Sequence, residues 1–402
     1  MPDSERCENC GAPLSAGACP RCPSDGESSR LFHRDLLRLL TIAIIAIAVF
    51  LFTRAMAAKE RQLNQTVAAT WFREGKRQLA TGNVRGAADA FRQAVSNDYE
   101  NRDYGFALAN ALGSEGHTEE ARYALMRLRE AAPESPEVNL DLARLAAKRG
   151  DIAEASHYYH NALYGLWTGT QVEGEQRQVR TELIRFLLDH RQHSQALAEL
   201  LILGSDLPDE ATAQKDAGQL FLEADDATHA LKHFTRALHL QKNDAAALAG
   251  AGEAAFRLGD YAQARHYLEA ASATDESQPP SPSLALAKLI LSSDPLSPYL
   301  PRTERNERLE KALDQSLSRL DACLARPDLN GAAAELSALR TQNTALNAKL
   351  RRGGLSRDPE LLDSGMELID RIAETTKNAC GEPEGLDRAL LLIGRKHKEA
   401  LQ

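Results

Sequence analysis

Residues 87–94 read AADAFRQA, and the same frame returns as ARYALMRL at 121–128, ASHYYHNA at 155–162, ALAELLIL at 196–203, ALKHFTRA at 230–237 and ARHYLEAA at 264–271. Each block opens on Ala, sets Phe, Tyr or Leu four residues on, and closes on Ala or Leu three residues later. Spacings of four and three keep those positions on one helix face. The leading alanines, Ala87, Ala121, Ala155, Ala196, Ala230 and Ala264, are 34, 34, 41, 34 and 34 residues apart. A helical stripe recurring at such a period marks an array of units that bury their apolar faces only by stacking. The 41-residue step is the common step with seven residues added. The surplus falls in the polar stretch TGTQVEGEQ, 168–176, a surface loop.

The composition agrees. Of 402 residues 65 are Ala, aromatics make up 5% and charged residues 26%, which describes closely packed helices. Gly 25 and Pro 16 are too few for collagen or low-complexity disorder, and six Cys too sparse for a disulfide-stapled mini-protein. A mean hydropathy of −0.40 excludes a polytopic membrane protein. The net charge of −9 belongs to the array: residues 68–278 hold 22 Lys and Arg against 32 Asp and Glu, the rest of the chain 26 against 25. An acidic balance opposes general nucleic-acid binding, where phosphate neutralisation supplies most of the affinity.

The period and the small-large-small frame resemble the tetratricopeptide-repeat family over about residues 68–278. The resemblance implies an all-α superhelix of about six helix pairs, A then B. It places a small residue at the eighth position of each repeat, here Gly75, Ala109, Ala143, Ile184, Gly218 and Gly252, so that A approaches B; Ile184 departs from the pattern. The A–B turns fit as well: Thr81-Gly82-Asn83, Glu115-Gly116-His117, Arg149-Gly150-Asp151 and Leu258-Gly259-Asp260. Gly there takes a left-handed C-cap and the next residue can cap helix B. Pro133 and Pro208 end repeats, and Trp71 holds the fourth position of the first repeat.

The family lines its concave groove with the inner faces of the A helices. The ninth positions, Lys76, Asn110, Arg144, Arg185, Gln219 and Glu253, with Lys148 one turn beyond Arg144, therefore form the expected partner-binding stripe, polar to basic over the first four repeats. Such a stripe can hold a peptide carboxylate or acidic segment. The family's carboxylate-clamp set is not reproduced, since Phe106 and Leu140 stand where polar residues would be; a solvated inner face with no single ligand is the competing reading. The His157/His160 and His229/His233 pairs have helical spacing, but no carboxylate constellation accompanies them. The sequence has no P-loop, G-x-G-x-x-G, G-x-S-x-G or C-x-x-C-H motif, and the chain is expected not to be an enzyme.

Four of the six cysteines, Cys7, Cys10, Cys19 and Cys22, form two C-x-x-C pairs eight residues apart. Two such knuckles aim four thiolates at one ion, the closed set that structural Zn²⁺ prefers; a redox or disulfide-linked pair is the alternative. Residues 5–24 resemble the short zinc ribbons of bacterial protein N-termini, with Gly11 suited to the sharp turn. Leu39–Thr53 carries no charge and, extended to residues 31–58 with Arg34, Arg38 and Arg54 near the ends, reaches membrane-span length. A signal peptide cut at Ala55-Met56-Ala57 and a buried or interfacial helix are the alternatives. Arg21, Arg30, Arg34 and Arg38 before the span, against Arg54, Lys59 and Arg61 after it, give a thin bias toward a cytoplasmic N-terminus. Zinc thiolates, which want a reducing compartment, add to it.

Ser and Pro punctuate residues 275–302 around a short helix, Leu284–Ser292. Helical patterns follow at Glu304–Ala325, Leu329–Arg351, Pro359–Lys377 and Glu384–Leu401, the first two flanking Pro327-Asp328. The second, with Asn343 at one seam position, suggests a hairpin packed as a short coiled coil. This region is expected to form a helical bundle or to cap the array, with Cys323 and Cys380 either paired or buried as free thiols. The expected organisation is a zinc ribbon and linker (1–30), a transmembrane helix (31–58), a juxtamembrane helix start (59–67), the repeat array (68–278), a joint (279–302) and C-terminal helical hairpins (303–402). The expected function is a membrane-anchored scaffold, placed in a bacterial inner membrane with the N-terminus cytoplasmic and the array periplasmic. It would bind a protein or peptide partner in the groove and contact the bilayer through its span, with no nucleic acid. The alternative is a regulator whose zinc ribbon contacts nucleic acid or a cytoplasmic partner.

Overall fold

The computed structural model describes residues 6–16, 19–22, 25–275, 281–327, 329 and 331–400, with backbone alone for 25–35, 353, 399 and 400. Residues 276–280, part of the first Ser- and Pro-rich cluster of the joint, and Asp328 lie outside the described residues. The helices are α1 (Asp25–Ala80), α2 (Val84–Asn97), α3 (Arg102–Glu115), α4 (Thr118–Ala131), α5 (Pro136–Lys148), α6 (Ile152–Leu163), α7 (Val172–Asp189), α8 (His193–Ser205), α9 (Ala211–Glu223), α10 (Ala227–Leu240), α11 (Ala245–Arg257), α12 (Tyr261–Thr274), α13 (Pro282–Ser293), α14 (Arg302–Leu324), α15 (Ala333–Arg357), α16 (Leu361–Cys380) and α17 (Gly385–Ala400). They form two compact units, Met1–Trp167 and Thr168–Gln402, divided where the seven surplus residues fall.

In the first unit α1 is continuous for 56 residues, about 84 Å at 1.5 Å per residue. From Leu36 it is long and apolar enough to cross a membrane, and its large side chains from Leu36 to Phe52 are exposed on every face. Its last turns serve as the first A helix. Gly75 lies so close to α2 that an added Cβ would sit 2.4 Å from the Phe91 ring, and Phe91 is fully buried. The same eighth-to-large contact surface repeats with Ala109 and Leu125, then Ala143 and Tyr159, all buried.

The helix-pair turns share one conformation. Gly82, Gly116, Gly150 and Gly259 all have φ between 73° and 95°. At the equivalent positions of the fourth and fifth repeats, Arg191 (φ 58°) and Asp225 (φ 64°) take the left-handed region without being glycine. Asn83, Asp151, Asp226 and Asp260 then cap the B helices by accepting from the backbone N–H three residues on; His117 makes no such side-chain bond.

In the second unit Ile184 occupies the small-residue position and is nevertheless fully buried, as is Leu200. Phe234 is held between two glycines: an added Cβ at Gly218 would meet its ring at 3.0 Å and one at Gly250 at 2.3 Å. The core then runs from Tyr261 through Leu286 and Ile290 of α13 into Leu309, Leu313, Leu339, Ile369 and Ile393. The C-terminal helices therefore cover the last repeat. Lys396 donates to the Gly259 carbonyl (2.8 Å) and lies over the Tyr261 ring. Asn343, fully buried, donates to the Leu313 carbonyl (3.0 Å) and pins α15 against α14. Cys323 of α14 and Cys380 of α16 are bonded, with Cα atoms 5.8 Å apart.

Candidate metal centre and binding surfaces

The first knuckle is built by backbone bonds. Gly11, at φ 71°, donates to the Cys7 carbonyl (2.9 Å), Cys7 donates to the Ala12 carbonyl (2.8 Å), and Arg6 pairs with Pro13 in an antiparallel bridge. The turn folds Cys7 and Cys10 toward the second knuckle. The four sulfurs all lie within 4.8 Å of one another, with Cys10–Cys19 at 3.4 Å and Cys7–Cys22 at 3.9 Å. A tetrahedral ion with metal–sulfur bonds of about 2.3 Å needs sulfurs about 3.8 Å apart, so the four residues fit a metal ion. The Arg21 backbone N–H holds the Cys19 thiol down to about 6, whereas hydrogen bonds among the clustered sulfurs, Cys10 first, push Cys22 up to about 12. So crowded a set of thiols ionises together only when a cation offsets the repulsion.

The ninth-position residues stand one per A helix. In the first unit Lys76, Asn110, Arg144 and Lys148 are exposed. Lys76 Nζ sits 4.5 Å from the Phe72 ring centre, and Arg144 pairs with Asp141 at 3.4 Å. In the second unit Arg185 and Gln219 are exposed and Glu253 half-buried. Gln219 donates to Glu223, and Glu253 receives Arg257 (3.2 Å) and the Ser283 hydroxyl (2.7 Å). The histidines are absorbed locally. His157 is bonded to Asn161, while His229 and His233 both stack on Phe221 with their Nδ1 atoms on Asp226 and Gln214.

One surface escaped the sequence reading. An open cavity of about 950 Å³ lies among α2, α3 and α4, lined by Val95, Leu108, Leu112, Gly105, Ala124 and Tyr123 among others; none of the ninth-position residues borders it. The repeat register explains it. In the fourth and fifth repeats position four faces position 23: Arg180 pairs with Glu199, and Gln214 bonds to His233 (2.8 Å). In the third repeat Arg129 bridges Asn139 (3.2 Å) and the Tyr158 ring. In the second repeat the same two positions are Gly105 and Ala124; neither supplies a large side chain, Leu128 comes within 3.0 Å of where a Cβ of Gly105 would stand, and all three residues line the cavity. The signal was present in the sequence as two small residues nineteen apart.

Tetratricopeptide-repeat family models match residues 72–136, 106–169 and 221–289. The fourth repeat, with Ile184 and the longer loop before it, falls outside those matches, and the last match extends into α13. No curated protein matches the chain. Among solved structures it is similar to YrrB, a TPR protein with an unusual peptide-binding site (19% identity, 48% of this chain and 95% of that one, TM-score 0.38). It is also similar to PilW, a type IV pilus biogenesis factor (17%, 54% and 96%, 0.37). A third is the C-terminal part of a TPR repeat-containing protein from Cytophaga hutchinsonii (12%, 77% and 97%, 0.42).

Proposed function

Because this chain carries tetratricopeptide repeats, we propose that it is a membrane-anchored scaffold that holds protein partners at a membrane and is not an enzyme. Residues 31–58 cross the bilayer, residues 1–30 carry a Zn²⁺ held by Cys7, Cys10, Cys19 and Cys22 in the cytoplasm, and residues 68–278 present the array on the periplasmic side. The ion is structural: four thiolates close its coordination and leave no open position for chemistry. Lys76, Asn110, Arg144, Lys148, Arg185, Gln219 and Glu253 line the partner-binding face, where the ammonium and guanidinium groups suit an acidic peptide segment. Residues 279–402 close the array's end.

The observation that carries the orientation is the division of the cysteines. Four unbonded thiols cluster before the apolar helix, and the two beyond it form a disulfide. Thiolate metal sites suit a reducing compartment and structural disulfides an oxidising one, so the two chemistries belong on opposite sides of the span. The test is protease treatment of intact spheroplasts. The array should be digested from outside while an N-terminal tag survives; digestion only after lysis would reverse the assignment. Partner capture is tested separately with Lys76→Glu, Arg144→Glu and Arg185→Glu together, and unchanged capture would remove the stripe from the binding face.

A further inference from the structure

We propose that α1 pairs with α1 of a second copy of this chain, side by side and parallel, through an apolar line that continues from the span into the aqueous stretch before the first repeat. The proposal rests on the membrane span read above and names what the anchor itself binds; it does not depend on the ninth-position stripe.

The first argument is an uncovered face. At about 3.6 residues per turn, Met56, Leu63 and Val67 fall within about 40° of one another on α1, and Trp71 lies about 40° further round. These four are 55%, 57%, 42% and 40% exposed. The same line runs back through Phe52, Val49 and Ile45 of the span. The face turned to the repeats, marked by the buried Ala68 and Gly75, is about a third of a turn away, so the repeats leave the line open. It ends at Glu74, which takes the next place on it and is bonded to Arg77 and Gln78.

The second argument is charge. Lys59 and Glu60, both exposed, stand at the membrane edge on opposite flanks of the line. Within the helix neither meets an opposite charge, because the residues three and four places away are Ala55, Met56, Ala57, Gln62, Leu63 and Asn64. Arg54 and Arg61 lie on the far side of α1. A two-fold axis parallel to α1 sets the left flank of one helix against the right flank of the other. Lys59 then faces Glu60 of the partner subunit, and Glu60 faces Lys59 of the partner subunit, at nearly the same height. The same axis puts the repeat-bearing faces of the two copies on opposite sides of the pair.

The third argument is size, and it selects a second copy. Apolar side chains gain little by pairing inside lipid, and three or four per helix in water bury far less than the roughly 1,200 Å² of a stable soluble complex. So small a surface holds only between chains that are already aligned. Two copies inserted in one orientation and at one depth are aligned, each residue of the line beside its own counterpart. Confinement to one membrane supplies the effective concentration that the surface lacks. A soluble helix has neither the alignment nor the tether, and a different span would have to match both the depth and the charge pair.

The test is a cysteine scan of the full chain in cell membranes. Residues 61–67 are replaced by Cys one at a time and oxidised with copper phenanthroline, with wild type measuring the background from the ribbon thiols. A product of twice the chain's 44.0 kDa should peak at Leu63→Cys and Val67→Cys and be several-fold weaker at Arg61→Cys and Gln65→Cys. With Leu63→Cys as reporter, Lys59→Glu and Glu60→Lys should each lower the yield roughly fivefold, and the two together should restore it. A yield without helical period, a product of another mass, or a double exchange that restores nothing would each overturn the proposal, the second in favour of a different membrane protein. Carbonate washing separates the pair from the anchor. Chain that stays in the membrane pellet without periodic crosslinking refutes the pair alone, whereas release into the supernatant refutes the span and the pair with it.

Discussion

Replacing Cys323 and Cys380 together by Ala should destabilise the second compact unit by about 4 kcal/mol. The bond joins residues 57 apart in sequence, and the chain-entropy relation for a loop of that length gives about 14 cal/mol/K, or about 4 kcal/mol at 25 °C. The surroundings give no sign that the native state resists it. Both residues are at least nine-tenths buried, Arg326 donates to the Cys380 carbonyl (2.6 Å) and Arg319 to that of Gly381 (2.7 Å), so α16 already ends against α14. The placement of the tryptophans supplies an internal control. Trp71 and Trp167 both lie in the first unit, so their fluorescence reports on that unit alone. Urea unfolding of the full chain in detergent should show the circular-dichroism transition of the second unit moving to lower urea, while the fluorescence transition stays fixed. Wild type under reductant should reproduce the variant, and its intact mass should rise by two hydrogens. A loss below 1 kcal/mol, or no mass change on reduction, would refute both the bond's role and the compartment inferred from it.

Changing Arg191 to Gly should raise stability by about 0.5–1 kcal/mol, because the left-handed conformation costs a non-glycine residue about 1–2 kcal/mol and glycine returns part of that as unfolded-state entropy; thermal melts would read it. Gly75→Val should cost roughly 1–3 kcal/mol or more, since its first added atom already falls 2.4 Å from the Phe91 ring, and a neutral result in the same melts would show that α1 and α2 are not closely packed there. Burial first, then Lys232 and His229, depresses the His233 pKa. A depressed folded value means the unfolded chain takes up the proton first, so this contribution is complete above pH of about 6.5 and is lost as pH falls from there through the folded value. The melting temperature of His233→Gln should accordingly change less between pH 7 and 5 than that of wild type.

Much of the fold was legible because the decisive contacts recur. The eighth-position residue and the large residue sixteen further on are read from spacing alone, and at Gly75–Phe91 and Gly252–Leu268 an added Cβ would fall 2.4 and 2.5 Å from the large side chain. Ile184 broke the rule for small residues and was still fully buried. The turns at Arg191 and Asp225 lacked glycine and kept the left-handed geometry, because the helices on either side dictate it. The four-sulfur cluster was legible from two knuckles. The cavity was not, because a void is the absence of a side chain and shows only when facing positions are compared across repeats. Nor was the partnering of Cys323 with Cys380, which depends on how α14 meets α16.

That comparison also fixes the sign of one further substitution. Gly105 lies inside α3, where glycine is about 1 kcal/mol worse than alanine. An added Cβ would meet the Leu128 methyl at 3.0 Å, closer than ordinary contact. In a filled core such an approach would cost more than the helix gains. Here Leu128 borders the open cavity and is half-buried, so its side chain can turn into free space by the few tenths of an ångström required. Gly105→Ala should therefore stabilise the protein by about 0.5–1 kcal/mol. A melting temperature lower than wild type would show instead that Leu128 is fixed against α3 and cannot turn into the cavity.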